Sequence, residues 1–355
     1  MVIQKQTSCL QFLTLLTSVC VLLPFFFYAK SASALTYDIK SFTHQQSTGN
    51  MKCYILDSFA AEPGTGNPAA VVLLPQDTDP KVMSSWMQKV AAEFNLSETA
   101  FCWPRSLDSE SPSSSGGETH WNIRYFTPTI EVALCGHATL ASAAVLYQGM
   151  EIQDSAKRKI VFHALDDILT MELGESSNED SRRTDIVMEF PNSSCQDITN
   201  EDDQMTIKSM LKSAFACDDD PLYMGLSDLG DVLIELSPIS FDAIGYDKLN
   251  YQALNEWEGY TRGIIVCCEA PREPSTKKVD FLSRFFAPKA GINEDPVTGS
   301  AHCTLGPHFA RKLNKTMVVG NQCSKRGGIV GCLVSDDAVR LTGTAITIMS
   351  GTLLM

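Results

Sequence analysis

The sequence has few basic residues and lacks the short motifs that bind common cofactors. Of its 355 residues, 28 are Lys or Arg and 42 are Asp or Glu, which gives a formal net charge of −14. A surface this acidic repels phosphate backbones, so nucleic acid is excluded as an expected partner. The chain also lacks a GxGxxG turn, a GxxxxGKS/T loop and an HExxH pair, which bind dinucleotides, nucleoside triphosphates and catalytic zinc. We therefore predict neither a metal nor an organic cofactor.

The twelve cysteines show no spacing typical of a zinc site or a disulfide scaffold. None lies in a CxxC pair, and Cys267 and Cys268 are adjacent inside the apolar run GIIVCCEA. Isolated cysteines of this kind are typical of buried, reduced thiols that pack as small hydrophobic side chains. We predict this state for the ten cysteines after residue 50, and it indicates a reducing compartment.

The first fifty residues indicate a different cellular compartment from the one that the cysteines indicate. Residues 9–29 are apolar and uncharged, Lys5 precedes them and Ala32-Ser33-Ala34 follows. This arrangement is typical of a secretory leader cleaved near residue 34, or of the first part of a plastid presequence. The stretch is also long enough for a membrane anchor. If translation instead starts at Met51, residues 1–50 are an over-extended gene model and the protein is cytoplasmic. The localisation stays open between these interpretations.

After residue 50, strand patterns alternate with helix patterns. We predict strands at Met51–Phe59 and Asn67–Leu74, because a segment rich in turn residues joins them. Apolar residues recur at helical spacing along Ser84–Phe94, which predicts an amphipathic helix. Two polar segments interrupt this pattern. We interpret residues 107–118 as a solvated loop and Glu175–Thr184 as the boundary between two lobes.

Two segments of the chain resemble each other, which predicts an internal duplication. Residues 126–128 read Phe-Thr-Pro and lead through a loop to Gly136 and an Ala-rich helix. Residues 286–288 read Phe-Ala-Pro and lead in the same way to Gly299 and a second helix start. A repeated unit of this kind indicates two lobes of related structure.

Each of the two helix starts is suited to binding an anion. The first N–H groups of a helix have no partners and carry partial positive charge, and glycine lets a ligand approach the backbone. The predicted lobes are residues 51–180 and 181–355, with a return of the last strand to the first lobe left open. If the lobes face each other, Gly136 and Gly299 would bind a carboxylate across one cleft.

Four blocks, in order along the chain, resemble the signature of the PhzF-like family of phenazine-biosynthesis isomerases. They are DSFAAEPGTGNPAAV (57–71), NLSETAF (95–101), FTPTIEVALCGHATLA (126–141) and EDPVTGSAHC (294–303). The resemblance covers nearly all of the chain past residue 50. It implies an α+β fold like that of diaminopimelate epimerase. In this fold two pseudo-symmetric lobes each wrap a mostly antiparallel sheet around a central helix, and the active site lies between them.

The resemblance also implies roles for individual residues. Glu98 in NLSET matches the family's acid/base glutamate, and a carboxylate can carry a proton when burial raises its pKa toward neutrality. His137 in CGHAT and Asp295 in EDPVTGSA match residues that would orient the substrate or relay a proton. Gly136, Gly299 and Ser300 match the family's two helix starts. The backbone N–H groups at these starts would bind the substrate's carboxylate.

Taken without the family, the three side chains have simpler interpretations. Glu98 would be a surface or capping residue, although its apolar neighbours speak against that. His137 would be a buried structural histidine. Asp295 would be an N-cap or turn residue before Pro296.

The function implied by the resemblance is that of a cofactor-independent isomerase. A known member isomerises a dihydro-hydroxyanthranilate, and its glutamate moves a proton between ring carbons without metal, flavin or nicotinamide. The expected partner is therefore a small carboxylate, and a homodimer is left open. The sequence departs from the family in the Ser/Gly-rich segment 107–118 and in His308-Phe309, where an aromatic pair is frequent. These departures do not change the expected chemistry, but they leave the identity of the substrate undetermined.

Two other functions remain as alternatives. Thiol-based amino-acid racemases and epimerases of this fold use two opposed thiols, and Cys135 lies at the first thiol position. The second lobe has Asp295-Pro296-Val297 at the other position, and Cys303 lies too far along the helix, so the isomerase is favoured. The third function is a non-catalytic small-molecule binding protein, which the presence of all three predicted catalytic residues disfavours.

Overall fold

The computed structural model describes residues 51–105, 117–149, 159–175, 180–247, 249–271 and 279–354. The apolar segment 9–29 and most of the polar segment 107–118 lie outside these ranges, so their interpretations stay predictions. Within the described ranges, no helix is both long enough and apolar enough to cross a membrane.

Strands and helices alternate along the described chain. The strands are β1 (Met51–Ser58), β2 (Asn67–Leu73), β3 (Glu98–Pro104), β4 (Glu118–Phe126), β5 (Glu131–Val132), β6 (Lys159–His163), β7 (Ile168–Leu173), β8 (Arg183–Pro191), β9 (Cys195–Asp197), β10 (Tyr223–Ser227), β11 (Asp231–Glu235), β12 (Gly263–Glu269), β13 (Phe281–Ala287), β14 (Ile292–Asp295), β15 (Met317–Gln322), β16 (Gly328–Val334) and β17 (Ala338–Leu353). The helices are α1 (Pro80–Phe94), α2 (Gly136–Gly149), α3 (Glu201–Phe215), α4 (Pro238–Asp242), α5 (Tyr251–Glu256) and α6 (Gly299–Leu313).

The first group of strands closes into a barrel around α2. Strands β1, β2, β3, β4, β6, β7 and β8 pair in that order, and β17 closes the circle because it pairs with both β8 and β1. Helix α2 contacts most of these strands, and every residue from His137 to Tyr147 is buried. A helix that is apolar on all sides must be enclosed, and its many alanines let the strands approach closely.

The second group of strands repeats these connections around α6. The parallel pairs β2–β3 and β4–β6 correspond to β11–β12 and β13–β15. The antiparallel pairs β3–β4 and β6–β7 correspond to β12–β13 and β15–β16. Helix α2 follows β5 in the chain just as α6 follows β14. The predicted duplication and the predicted α+β fold are therefore confirmed.

The division of the chain between the two lobes stays a prediction. Strand β8 begins at Arg183 and pairs with β7 on one side and with β17 on the other. Strand β17 also pairs with β16 along Val339–Thr342 and with β1 along Ala345–Leu353. It therefore connects the strands around α2 to those around α6.

Helix α1 is confirmed but begins four residues before the predicted start. The Asp79 side chain accepts a hydrogen bond from the backbone N–H of Lys81, and Pro80 occupies the first turn, two features that favour a helix start. The side chains buried deepest are Met83, Met87 and Ala91.

The ten cysteines after residue 50 are all free thiols, and eight of them are buried. The prediction of buried, reduced thiols is confirmed for these eight, whereas Cys195 and Cys323 are free thiols that are only partly buried. The thiols therefore pack as hydrophobic groups in the cores of the described chain.

Candidate active site

Glu98 lies at the first position of the buried strand β3. Helix α1 ends at Asn95, whose left-handed conformation (φ 49°) turns the chain toward that strand. Glu98 then pairs beside Ala69 of the parallel strand β2. Only 9% of Glu98 is exposed, so its carboxyl group is largely removed from water.

Cys135 and His137 lie at the start of α2, against the Glu98 carboxyl group. The Ser58 hydroxyl donates to the His137 carbonyl at 2.7 Å, and the Thr139 hydroxyl donates to the Cys135 carbonyl at 2.7 Å. These bonds hold the helix start in place. His137 Nε2 is then 3.2 Å from Glu98 Oε2, and Cys135 Sγ is 3.4 Å from His137 Nδ1.

The Glu98 carboxyl group has a pKa suited to proton transfer near neutral pH. Burial raises its pKa to about 7, and the nearby Asp295 carboxylate adds to this rise. A hydrogen bond from the Cys135 thiol opposes the rise. Within the described residues, Glu98 Oε2 has no hydrogen-bond partner. His137 Nε2 lies 3.2 Å from this oxygen but forms no hydrogen bond with it among these residues, so the oxygen is free to take up a proton.

His137 is uncharged at this site. Burial lowers its pKa to about 3, and a hydrogen bond with the Pro68 carbonyl only partly offsets this. Because both groups would have to be charged to form an ion pair, the contact between His137 and Glu98 is one between a neutral imidazole and a carboxyl group.

Asp295 enters the same site from the end of β14. Its Oδ1 accepts a hydrogen bond from Asn67 Nδ2 at 2.9 Å, and its Oδ2 accepts from the Thr298 hydroxyl. The Gln322 side chain donates to the Asp295 carbonyl at 2.8 Å. Burial raises the pKa of Asp295 to about 6, and the bonds from Thr298 and Asn67 oppose the rise. Because both carboxylate oxygens are already bonded, Asp295 is less free than Glu98 to exchange a proton.

The first N–H groups of the two helices are only partly occupied within the described residues: the Ala138 N–H bonds the Cys135 thiol, and the Thr298 N–H donates to the Gln322 side chain. Thr298 at the N-cap of α6 makes no side-chain capping bond, and neither α2 nor α6 has an acidic residue in its first turn. A Cβ built on Gly136 would meet nothing within 4 Å, so the backbone faces open space there. The two starts belong to one site, because α2 and α6 contact each other and because Asn67, two residues before the strand partner of Glu98, bonds Asp295.

Comparison with known proteins identifies the family. A family model described as phenazine biosynthesis-like protein matches residues 56–351. The chain belongs to this family. A relative from Halalkalibacterium halodurans, named an uncharacterized isomerase, is 37% identical over 303 residues, which cover 85% of this chain and 98% of the relative. A crystal structure of a PhzF-family phenazine biosynthesis protein from Enterococcus faecalis is similar with a TM-score of 0.68 and 30% identity, covering 86% of this chain and 100% of that one.

A more distant structure extends the likeness in fold. A predicted epimerase from Pseudomonas aeruginosa matches with a TM-score of 0.59 at 17% identity, covering 86% of this chain and 99% of that one. Together with membership of the phenazine biosynthesis-like family, this confirms the epimerase-like fold. The named relatives support an isomerase- or epimerase-type role for this chain.

Glu98, Cys135 and His137 also form a group that could hold a metal ion. Each offers one ligand atom, and the three atoms lie within 4.8 Å of one another. Thiolate, imidazole and carboxylate together are ligands typical of zinc. The expectation of a metal-free site in this family member therefore stays a prediction.

Two residues that sequence analysis did not single out take part in the site. Asn67 holds Asp295, and its position inside one of the four family blocks was a usable signal. Arg262 donates from Nη1 to the Ser300 hydroxyl at 2.8 Å. No sequence pattern indicated Arg262, because the two partners are 38 residues apart and meet only in the folded chain.

The raised pKa of Glu98 has a measurable effect on stability. Its folded-state value of about 7 exceeds the ordinary 4.5, so the folded protein holds a proton that the unfolded chain releases first. The bound proton therefore contributes fully to the free energy of unfolding below pH 4.5, and this contribution is lost as the pH rises through 7. The free energy of unfolding falls by on the order of 3 kcal/mol over this range. Glu98→Gln cannot ionise. We expect urea unfolding to show this variant gaining stability relative to the wild type between pH 5 and pH 8.

The exposed residue Glu93 offers a matched control. Glu93→Gln should show no such gain, because an exposed carboxyl group loses little hydration on folding. The free-energy difference between Glu98→Gln and the wild type should change from pH 5 to pH 8. An equal difference at the two pH values would contradict the burial of an ionisable Glu98.

Proposed function

We propose that the protein is a cofactor-independent isomerase that moves a proton between carbons of a small carboxylate-bearing substrate. The observation that carries this proposal is the Glu98 carboxyl group, which is buried, has a pKa of about 7 and has one oxygen without a hydrogen-bond partner in the described part of the chain. A group titrating near neutral pH can act first as a base and then as an acid. One carboxyl group is therefore sufficient for both halves of a proton shift.

The surrounding residues support the same reaction. Ionised Glu98 would remove a proton from a substrate carbon, and the electron pair left behind would delocalise toward the substrate's carboxylate. The free N–H groups at Gly136 and Gly299 would stabilise the charge that develops there. Neutral His137 and the firmly held Asp295 would orient the substrate. Protonated Glu98 would then return the proton to a second carbon.

A thiol-based epimerase is less well supported by the geometry. Burial raises the pKa of Cys135 well above that of a free thiol and raises that of Cys303 to about 12. The Cys303 thiol also donates back to the Gly299 carbonyl inside α6. Because the thiolate is the reactive form, neither cysteine is prepared to act as one of two opposed bases.

The proposal is tested by incubating the protein with a panel of small unsaturated carboxylates in deuterium oxide with a chelator present. Mass spectrometry should show deuterium incorporated at a substrate carbon, and the chelator should make no difference. Binding of panel members without any exchange would favour the non-catalytic binding protein instead. Exchange that stops when the chelator is added would contradict the absence of a metal.

A further inference from the structure

We propose that Arg262 is the cationic anchor for the substrate's carboxylate, acting together with the start of α6. This inference rests on the proposed function and deepens it, because it names the group that would select an acid over its neutral analogue. Arg262 lies in the turn before β12, and its Nη1 is 2.8 Å from the hydroxyl oxygen of Ser300, the second residue of α6.

The guanidinium group is held ready for a ligand. Its Nη2 donates to Asp231, which is fully buried. The guanidinium carbon Cζ lies over the Phe285 ring, 5.5 Å from the ring centroid, which suits a cation. The backbone N–H of Arg262 donates to the Gly230 carbonyl, which fixes the main chain at this point. The side chain is nevertheless 36% exposed, so an anion can reach it without reorganising the fold.

The bond from Arg262 also determines what Ser300 can do. The Ser300 oxygen accepts a hydrogen bond from the guanidinium, so the hydroxyl proton is free to point elsewhere. A hydroxyl has one proton to donate, and here it can donate toward a ligand at the start of α6. Arg262, the Ser300 hydroxyl and the free N–H groups of α6 therefore supply convergent donors for one carboxylate.

A cation at this position would offset negative charge in the cleft. Glu98 and Asp295 both carry negative charge when ionised, and each would repel an anionic substrate. Asp295 already responds to Arg262, whose charge lowers the pKa of that carboxyl group against the effect of burial. The charge of Arg262 therefore acts on Asp295, one of the two carboxyl groups that would repel a bound carboxylate.

The test compares anthranilate, a small aromatic acid, with anthranilamide, its neutral analogue of similar shape. Because Arg262→Met alone would leave Asp231 buried without its partner, the variant of choice is the double substitution Arg262→Met with Asp231→Asn. Isothermal titration calorimetry at pH 7 should show that the wild type prefers the acid. The double variant should bind the acid about 10- to 100-fold more weakly and the amide with unchanged affinity.

Two further variants separate charge from structure. Arg262→Lys keeps the charge without the forked geometry, so its affinity for anthranilate should lie between those of the wild type and the double variant. Arg340→Met serves as the matched control, because Arg340 is a similarly exposed arginine in an ion pair with Glu172. This control should bind both probes as the wild type does.

The outcomes distinguish this inference from the proposed function. The inference is overturned if the double variant still prefers the acid, if the wild type shows no preference, or if both probes weaken equally. Loss of the preference in the double variant alone supports it. None of these results depends on proton exchange, which is measured separately with Glu98 variants.

Discussion

Glu98→Gln should abolish solvent-deuterium exchange into the substrate while leaving ligand binding nearly unchanged. Glutamine has the size and most of the hydrogen-bonding capacity of glutamate, but it cannot accept and return a proton. General acid/base groups typically contribute ~10²–10⁴-fold in rate, and we expect a loss of this size. The measurement is deuterium incorporation in deuterium oxide, paired with calorimetric titration of the same carboxylate.

Three comparison variants make this result specific. Glu93→Gln changes an exposed glutamate at the end of α1 and should keep full exchange. His137→Asn should lose less than Glu98→Gln, because a neutral His137 orients or relays rather than carrying the proton. If Glu98→Gln keeps near-normal exchange and Cys135→Ala loses it, the thiol-based epimerase is the better description.

Arg284→Met should cost about 3–5 kcal/mol of unfolding free energy, because it leaves the largely buried Glu294 carboxylate, whose side chain is 10% exposed, without its ion-pair partner. The Arg284 side chain is 3% exposed and makes two parallel hydrogen bonds to Glu294, at 2.7 and 2.9 Å. It also donates to the Ile244 carbonyl. Removing the guanidinium therefore leaves Glu294 without its charge partner. Urea unfolding followed by circular dichroism would measure the loss.

The size of this loss of stability depends on the unpaired charge of Glu294, which a second substitution can remove. Arg284→Met combined with Glu294→Leu replaces both ions by apolar groups and should recover much of the loss. Arg182→Met removes an exposed ion pair with Asp180 and should leave the unfolding midpoint nearly unchanged. A double variant as unstable as Arg284→Met would show that packing around Arg284, and not the unpaired charge, accounts for the cost.

The elements of the fold were predictable where the pattern was local. The strands at the start of the described chain and helix α1 follow from residues close together in sequence, and the Asp79–Lys81 cap explains the earlier start of α1. The closure of the barrel was not predictable in this way. It depends on β17 pairing with β1 and β8, and β1 lies almost three hundred residues before β17.

The sequence by itself determined the family, the internal duplication and the positions of Glu98, His137 and Asp295. The reason is that each of these three residues lies in a short motif of consecutive residues. Only the tertiary structure decided that Glu98 keeps a free oxygen while Asp295 does not, and that Arg262 faces Ser300. These properties arise from burial and from partners supplied by distant strands. A pKa or an unbonded oxygen is a property of that surrounding structure, so no local pattern of residues encodes it.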